Sequence, residues 1–425
     1  MLLTSLDRLT QTLQSALGPA AITAEAESLS RHRVDGITPR LVVTPESSEQ
    51  IGAALHHCSA ARATVVPWGG GTAMSLGNPP RQLDVVMNLG KLNRVVEHDA
   101  DNLTVSAQCG VTLAALRSVL YPAKQFLPID GPFPERATIG GIAAANLNGP
   151  RRSSYGSVRD LVIGLKVSLA GGESIKAGGK VVKNVAGYDM CKLFVGSLGT
   201  LGIITEVTLR VAPIAESAAT FIVHGTRTQV RGFIDELSRS ALLPAAIFLL
   251  GEKTQGDWRV VIWCEGFAQG VERHLRDLQA MAGRGKLIYE VAGPENHNAL
   301  WNKLRDFPFE PHRIVYRITV PRSAISDFIN RAQAWDVTEI VSDTSMGTIW
   351  LGLPVDRTAI AQFAEMESAA CQAGGHAILF SAPGSLKTGI NVWGKSPETL
   401  SLMREIKRGF DPNGLLNPGR FLSAI

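Results

Sequence analysis

The sequence predicts an α+β fold that is divided into two domains. The chain has 425 residues, which is more than a single hydrophobic core usually supports. Up to about residue 213, short strand-like runs alternate with connections that are crowded with glycine. Beyond that point, strand-like runs alternate with longer amphipathic helices. Two such different patterns indicate two separately packed cores.

The composition excludes several classes of protein. Hydrophobic residues make up 45% of the chain and charged residues 19%, which is typical of packed cores and excludes a disordered protein. The 42 basic and 38 acidic residues give a net charge of +4 without a dense basic run, so no nucleic-acid partner is expected. The five cysteines form no CxxC pair, which argues against a disulfide framework or a cysteine-held metal and favours a reducing, cytoplasmic compartment. The apolar stretch 241–250 contains Pro244 and is too short to span a bilayer, so we expect a soluble or peripheral protein.

Local patterns predict the elements of the first domain in order. Leucines at positions 6, 9, 13 and 17 recur at helical spacing, so residues 3–17 should form an amphipathic helix whose apolar face needs a partner surface. A β-α-β unit should follow, with strands 41–44 and 64–68 around a helix that ends near residue 61. The other predicted elements are strands 83–89, 94–98 and 103–108, helices 112–120 and 138–146, and a hairpin of strands 161–169 and 173–177.

The second domain is predicted from a more regular alternation of strands and helices. Its strands are expected at 220–224, 259–264, 314–320 and 348–353, and its helices at 227–239, 269–282, 322–334 and 357–373. This alternation fits either an α/β or an α+β arrangement.

Three glycine-rich loops carry the strongest functional signal. They lie at 65–77, where three consecutive glycines follow a strand, at 138–146, and at 193–206. Backbone without Cβ atoms can turn several N–H groups inward and bind phosphate without a basic side chain. An ordinary glycine-rich turn explains the first loop equally well, but three such loops together imply one large ligand. The GxGxxG fingerprint of dinucleotide-binding domains is absent, which disfavours a Rossmann fold.

Several motifs resemble those of the vanillyl-alcohol oxidase/p-cresol methylhydroxylase superfamily of FAD-linked oxidases. They are PWGGGT at 67–72, LPIDGP at 127–132, ATIGG at 137–141, YGSVRD at 155–160 and the loop at 196–205. Within that superfamily, GKVVKNVAGYD at 179–189 and the following KLFVGSLGTLG at 192–202 are most similar to the FAD-binding subunits of glycolate oxidases. The resemblance is dense between residues 34 and 215 and returns at FDPNGLLNPGR, 410–420.

This resemblance implies a particular domain organisation. Residues 1–214, with a core at 34–214, would form a two-subdomain FAD-binding domain of the p-cresol methylhydroxylase type. Residues 215–395 would form a smaller α/β cap domain on the substrate side, and residues 396–425 would return to the FAD domain.

The resemblance also implies which residues hold the cofactor. The pyrophosphate would lie on Gly69, Gly70, Gly71 and Thr72, flanked by Trp68 and Ala73. The flavin or its diphosphate would be lined by Pro132, Thr138, Ile139, Gly140 and Gly141, with Asn146, Tyr155 and Gly156 near the ring, and the adenosine half by Gly199, Gly202 and Ile204. Covalently flavinylated members place a histidine just after the glycines of the first loop, where this chain has Thr72, so we expect non-covalent FAD.

Two departures from the superfamily leave the catalytic group open. Catalytic relatives carry a His-x-Gly-Asp-Gly-Asn-x-His segment in the second domain and a glutamate where this chain has Leu198; the segment is absent here. His376, before an apolar strand, is the candidate base. The alternative is that His376 is a structural, hydrogen-bonded histidine. No second histidine or carboxylate lies at the spacing that a metal ligand set would need, so we expect no metal site.

One further motif is interpreted as a coincidence. GINVWGKS at 389–396 fits the P-loop pattern, but Ile390, Val392 and Trp393 favour an extended strand. Ser396 and Pro397 are then predicted to start the last helix.

Three functions follow from the resemblance. The first is the FAD-binding subunit of a glycolate oxidase or dehydrogenase complex that oxidises a small 2-hydroxy acid, glycolate to glyoxylate. Its expected partners are a paralogous catalytic flavoprotein subunit and an iron–sulfur subunit, because this chain has no cysteine cluster, and it would reach the membrane only through them. The second is a self-sufficient FAD-dependent oxidoreductase acting on another small hydroxy acid or alcohol, and the third is a flavin-binding but catalytically silent assembly subunit. We expect the opening leucine helix and the stretch 241–250 to contact the partners.

Overall fold

The computed structural model describes residues 5–179, 189–252 and 257–425. The chain forms two compact units. Unit 1 consists of residues 1–148, 157–213 and 387–425, and unit 2 of residues 149–156 and 214–386. The sequence analysis predicted domain boundaries at 214/215 and 395/396, and it did not predict that residues 149–156 would pack with the second unit. Most of the motif at 179–189 lies outside the described residues.

Unit 1 contains two main sheets. The first runs in the order Ile22–Thr23, Leu41–Val43, Val85–Asn88 and Val65–Trp68, and its last three strands are parallel. The second is antiparallel, in the order Val95–Asp99, Thr104–Gln108, Ile203–Arg210, Val162–Ser168 and Ser174–Gly178. A short pair joins Gln125–Phe126 to Ala212–Pro213. The helices are Ser5–Leu17, Ala26–Arg31, Ser48–Ala60, Leu113–Leu120, Ile139–Ala145, Val158–Leu161, Cys191–Phe194 and Leu400–Phe410.

Side-chain caps set where three of these helices begin. Ser47 accepts a hydrogen bond from the Gln50 N–H, and Thr112 and Thr138 accept one from the residue three positions later. Each of these bonds satisfies a backbone donor that the first helical turn leaves without an intrahelical partner.

Unit 2 is built on one eight-stranded sheet. Its order is Ile288–Ala292, Ser217–Gly225, Trp258–Gly266, Ala246–Glu252, Glu339–Asp343, Thr348–Leu353, Ile314–Thr319 and His376–Ser381. Every neighbouring pair is antiparallel, so the α+β arrangement is the one observed. The helices are Arg152–Tyr155, Arg227–Arg239, Ala268–Arg284, Pro294–Asp306, Ile325–Ala332, Arg357–Ala361 and Phe363–Gln372.

The predicted partner-contact surfaces are wrong. Leu9, Leu13 and Leu17 of the opening helix are buried in the core of unit 1 against its own parallel strands. In the stretch 241–250, residues 245–250 are buried or nearly so within the sheet of unit 2, although Leu243 is 84% exposed. Both apolar stretches are therefore satisfied within the chain itself.

Three local predictions are also corrected. Residues 389–396 form turns rather than a strand, and the last helix begins at Leu400 after Thr399, not at Pro397. The helix predicted over 357–373 is two helices that meet at Gln362. A turn of 3-10 helix at Arg322–Ala324 precedes the helix that was predicted to start at 322. Among the described residues, no helix is both long enough and apolar enough to cross a membrane.

Candidate cofactor cleft and the polar sheet face

The three glycine-rich loops meet in one open cleft of unit 1. Eleven of the predicted cofactor residues line it: Gly69, Gly70, Gly71, Thr72, Ala73, Thr138, Gly140, Gly141, Gly199, Gly202 and Ile204. These residues are as far apart as 135 positions in the chain. Their convergence in one cleft fits the interpretation that they serve one large ligand.

Glycine is required at several of these positions because the loops press against each other. A Cβ on Gly70 would lie 1.7 Å from the Arg136 carbonyl oxygen, and one on Gly140 would lie 2.5 Å from the Cys109 Cβ. Gly71 adopts a φ of +70°, which side chains disfavour. Glycine therefore lets these loops pack closely against neighbouring backbone, and in the second loop the Gly140 and Gly141 N–H groups donate to the Cys109 carbonyl oxygen and the Thr138 Oγ1.

The C-terminal segment of unit 1 contributes two lining residues that the prediction missed, Asn417 and Arg420. Arg420 is 3% exposed, and its Nη2 donates to the carbonyl oxygens of Met74 and Leu76, both at 2.6 Å. Burial lowers the pKa of Arg420 to about 10, so it remains a cation at neutral pH. The motif at 410–420 was the available signal, but nothing in its spacing indicates which of its side chains reach the cleft.

A second buried cation holds the same loop. Lys387 donates to the carbonyl oxygens of Ser75 and Gly77 and forms an ion pair with Asp35 at 2.9 Å, with both side chains nearly fully buried. Together, Lys387 and Arg420 hold all four carbonyl groups of residues 74–77. We name this arrangement the C-terminal clasp.

Two polar atoms at the cleft are left without partners. The Arg420 Nε and the Asn417 Oδ1 are buried and make no hydrogen bond within the part of the chain that the structure describes. A buried donor and a buried acceptor in this state favour a ligand that offers both polar functions. The unpaired Arg420 Nε therefore fits an acceptor or anionic group of a ligand, and the unpaired Asn417 Oδ1 fits a donor group of the same ligand.

Six predicted cofactor residues do not line the cleft. Trp68, Pro132, Ile139 and Asn146 belong to unit 1, whereas Tyr155 and Gly156 belong to unit 2. The Trp68 ring flanks the first loop, since a Cβ on Gly71 would lie 2.6 Å from its Cζ2. Asn146 ends a helix in the left-handed conformation, and Pro132 and Ile139 are buried.

The candidate base, His376, lies on the sheet of unit 2. It begins an edge strand and pairs with Thr319 on the neighbouring strand. His376 is exposed, unlike the rest of its strand, but partial desolvation of the ring and the positive charge of Arg317 lower its pKa, which favours the neutral imidazole at physiological pH. A neutral imidazole can accept a proton, so this environment is compatible with the predicted role.

Other ionisable groups are buried on the same unit. Arg151 pairs with Glu265 at 3.3 Å, and its guanidinium lies 4.6 Å from the Trp263 ring. Burial raises the pKa of Asp343 to about 7, although its carboxylate accepts hydrogen bonds from the N–H groups of Ser345 and Met346. No group of three or more histidine, cysteine, aspartate or glutamate residues within the described ranges is arranged to hold a metal ion.

Comparison with known proteins identifies the family. Residues 39–178 match the family described as FAD binding domain, and residues 356–421 match FAD linked oxidases, C-terminal domain. The chain is 30% identical over 366 residues to glycolate oxidase subunit GlcE of Escherichia coli (strain K12), which covers 84% of this chain and 92% of that protein. The chain belongs to the FAD-linked oxidases.

Other relatives of this FAD-linked oxidase agree. It is 29% identical over 420 residues to glycolate oxidase subunit GlcD of Bacillus subtilis (strain 168), covering 91% of this chain and 89% of the relative. It is 28% identical over 417 residues to D-lactate dehydrogenase of Archaeoglobus fulgidus, covering 91% and 92%. A structure of p-cresol methylhydroxylase with substrate bound superimposes with a TM-score of 0.76 at 15% identity, covering 98% of this chain and 96% of the other.

These findings confirm the predicted cofactor and enzyme class. The protein is an FAD-dependent oxidoreductase with a p-cresol methylhydroxylase-type fold, and FAD is its cofactor. Thr72, which takes the place of a histidine anchor at the first loop, is consistent with non-covalent binding.

Proposed function

We propose that this chain is the FAD-binding subunit of a glycolate oxidase or dehydrogenase complex that oxidises a small 2-hydroxy acid, glycolate to glyoxylate. The observation that carries the proposal is the extent of the similarity. Relatives named glycolate oxidase subunits and D-lactate dehydrogenase align over 84% to 91% of this chain, and so include both of its units. The substrates in these names share a hydroxyl group next to a carboxylate.

The residues of unit 1 support binding of the cofactor. The backbone of Gly69, Gly70 and Gly71 would hold its diphosphate, and Arg420 would supply a positive charge and a free N–H. Bound FAD supplies a two-electron acceptor for oxidation of the alcohol. The remaining groups of the cleft are mainly backbone and small side chains, which orient the cofactor rather than react with it.

His376 is the proposed catalytic base. Oxidation of a 2-hydroxy acid to a 2-oxo acid removes two electrons and two protons, and a neutral imidazole can take the proton of the hydroxyl group. Partial desolvation of the ring and the nearby positive charge of Arg317 lower the pKa of His376, which favours that neutral form.

The electrons are proposed to leave through partner subunits, a paralogous catalytic flavoprotein and an iron–sulfur protein, at the cytoplasmic side of a membrane. Two relatives are named as subunits, which supports a multi-subunit assembly. Burial raises the pKa of the thiols of Cys58, Cys109 and Cys264 to about 12 and that of Cys191 to about 11. Within the described residues, no three histidine, cysteine, aspartate or glutamate side chains are arranged to hold a metal ion, so the proposal assigns the iron–sulfur centre to a partner.

A catalytically silent flavin subunit is the second candidate. It is favoured by the absence of the His-x-Gly-Asp-Gly-Asn-x-His segment and by Leu198, which replaces the glutamate of catalytic relatives. In that case, the flavin of this chain would relay electrons or stabilise the assembly.

Anaerobic flavin reduction separates these functions. Glycolate or D-lactate is added to the FAD-loaded chain, alone and with its co-purified partners, while the visible flavin absorbance is followed. Ethylene glycol, which lacks the carboxylate, is the control substrate. Bleaching of the isolated chain would support a catalytic subunit, and bleaching only with partners would support the silent one. Absence of bleaching by any 2-hydroxy acid in both preparations would refute the proposal.

A further inference from the structure

One face of the unit 2 sheet carries a group of polar and aromatic side chains near His376. Arg317 lies directly opposite Trp350 in the strand register, and Thr319, two positions further along, lies opposite His376. Residues directly opposite each other in an antiparallel pair share a face, as do residues two apart on one strand. Arg317, Trp350 and His376 therefore project from the same face.

Two of these neighbours have buried donors without acceptors. The Arg317 Nε and the Trp350 Nε1 make no hydrogen bond among the described residues. The Arg317 guanidinium lies 5.5 Å from the Phe380 ring, which holds its planar group in place. Leaving a buried donor unpaired is costly, so two unpaired donors at facing positions indicate that a ligand supplies the acceptor.

The charges around this position favour an anionic ligand. Arg152, on the short helix that packs on this unit, adds a second positive charge, which acts on both Arg317 and Asp343. Arg151 is already neutralised by Glu265 at 3.3 Å. Burial raises the pKa of Asp343 to about 7, so its carboxyl is only partly ionised at neutral pH. Positive charge is thus in excess at Arg317 and Arg152.

We propose that Arg317 binds the carboxylate of the substrate, with the Trp350 Nε1 as a second donor. The identification of this ligand as a 2-hydroxy acid rests on the proposed function, but the carboxylate site itself rests on the geometry of unit 2. A guanidinium offers parallel N–H groups that match the two oxygens of a carboxylate. Because His376 projects from the same face, opposite the residue two positions from Arg317, a carboxylate bound at Arg317 would orient the adjacent hydroxyl group towards the proposed base.

Calorimetric titration of the FAD-loaded chain with oxalate tests this site without turnover, because this small carboxylate is not a 2-hydroxy acid. We expect the wild type to bind oxalate and Arg317→Met to bind it about 10- to 100-fold more weakly, as expected for loss of a charge-assisted pair. Arg317→Lys, which retains the charge but loses the planar fork, should show an intermediate loss. Arg259→Met is the matched control, because it removes an arginine from another strand of the same sheet and should bind oxalate like the wild type.

The possible outcomes are distinct. Unchanged oxalate binding in Arg317→Met, an equal loss in Arg259→Met, or no binding by the wild type would overturn the inference. If Arg317→Met does not fold, as judged by its thermal unfolding, the weaker binding of Arg317→Lys relative to wild type decides the matter. If no 2-hydroxy acid reduces the flavin of the chain, either alone or with its partners, but oxalate binding still depends on Arg317, the proposed function is contradicted and the carboxylate site is retained.

Discussion

Asp343 should make the stability of the protein fall as the pH rises. Its side chain is buried, and burial raises its pKa from an ordinary value near 3.8 to about 7. The folded chain therefore retains a proton that the unfolded chain has lost, so its stabilising effect is complete below pH 3.8 and is lost as the pH rises through 7. At 1.36 kcal/mol for each unit of pKa difference, the full loss is about 4 kcal/mol, of which about 2 to 3 kcal/mol falls between pH 5 and pH 8.

Asp343→Asn should remove this pH dependence. The amide oxygen can accept the same two hydrogen bonds, from Ser345 and Met346, without a charge to bury. We expect the variant to gain about 2 to 3 kcal/mol relative to the wild type when the pH is raised from 5 to 8.

Urea unfolding followed by tryptophan fluorescence measures this difference, since five of the seven tryptophans belong to unit 2. Asp327→Asn, which removes an exposed carboxylate from the same unit, is the control and should follow the wild type at both pH values. Parallel stability curves for wild type and Asp343→Asn between pH 5 and pH 8 would refute the reasoning.

Three further predictions concern the cofactor and the proposed base. Gly141→Asp should abolish FAD binding, because its carboxylate would repel the diphosphate, whereas Gly141→Ala should retain FAD, because a Cβ there meets only the Thr138 Oγ1, at 3.2 Å. The flavin content of each purified variant measures the effect, and equal flavin content in the two variants would contradict the assignment of this loop. His376→Gln should lower turnover of the assembled complex by about 10²- to 10⁴-fold while FAD remains bound, and a loss of less than threefold would indicate a structural histidine. Because desolvation and Arg317 lower the pKa of His376, the wild-type rate should fall only as the pH drops below 6.5. Acid or heat should release intact FAD into the supernatant, whereas flavin that remains on the precipitated chain would show a covalent link despite Thr72.

Sequence reasoning succeeded where the physical cause is local. The caps at Thr112 and Thr138 act over three residues, so the helices that follow them were predicted nearly to the residue. The glycines of the three loops were recognised for the same reason, since a missing side chain is visible in the sequence itself. The opening helix was also predicted, but its periodicity could not show that Leu13 packs within its own unit.

The missed features depend on long-range contacts. Arg420 reaches carbonyl groups about 345 positions away, and the pairing of Asn417 with Leu198 spans 219 positions. Neither contact leaves a periodic signal near the residues involved. The same limit applies to residues 389–396, which lie in turns although their side chains favour strands. There the Val392 N–H donates to the Asn78 Oδ1, 314 positions away.

The C-terminal clasp has a consequence for the order in which the protein matures. Lys387 and Arg420 are synthesised after all of unit 2, yet they hold the carbonyl groups of residues 74–77 beside the first glycine loop. While the chain is still growing, this loop has no cation to fix it, and the cleft lacks the charge at Arg420 that would face its ligand. We therefore expect flavin capture only after Lys387 and Arg420 have been synthesised, with the inserted second unit delaying the moment at which the first becomes competent to bind.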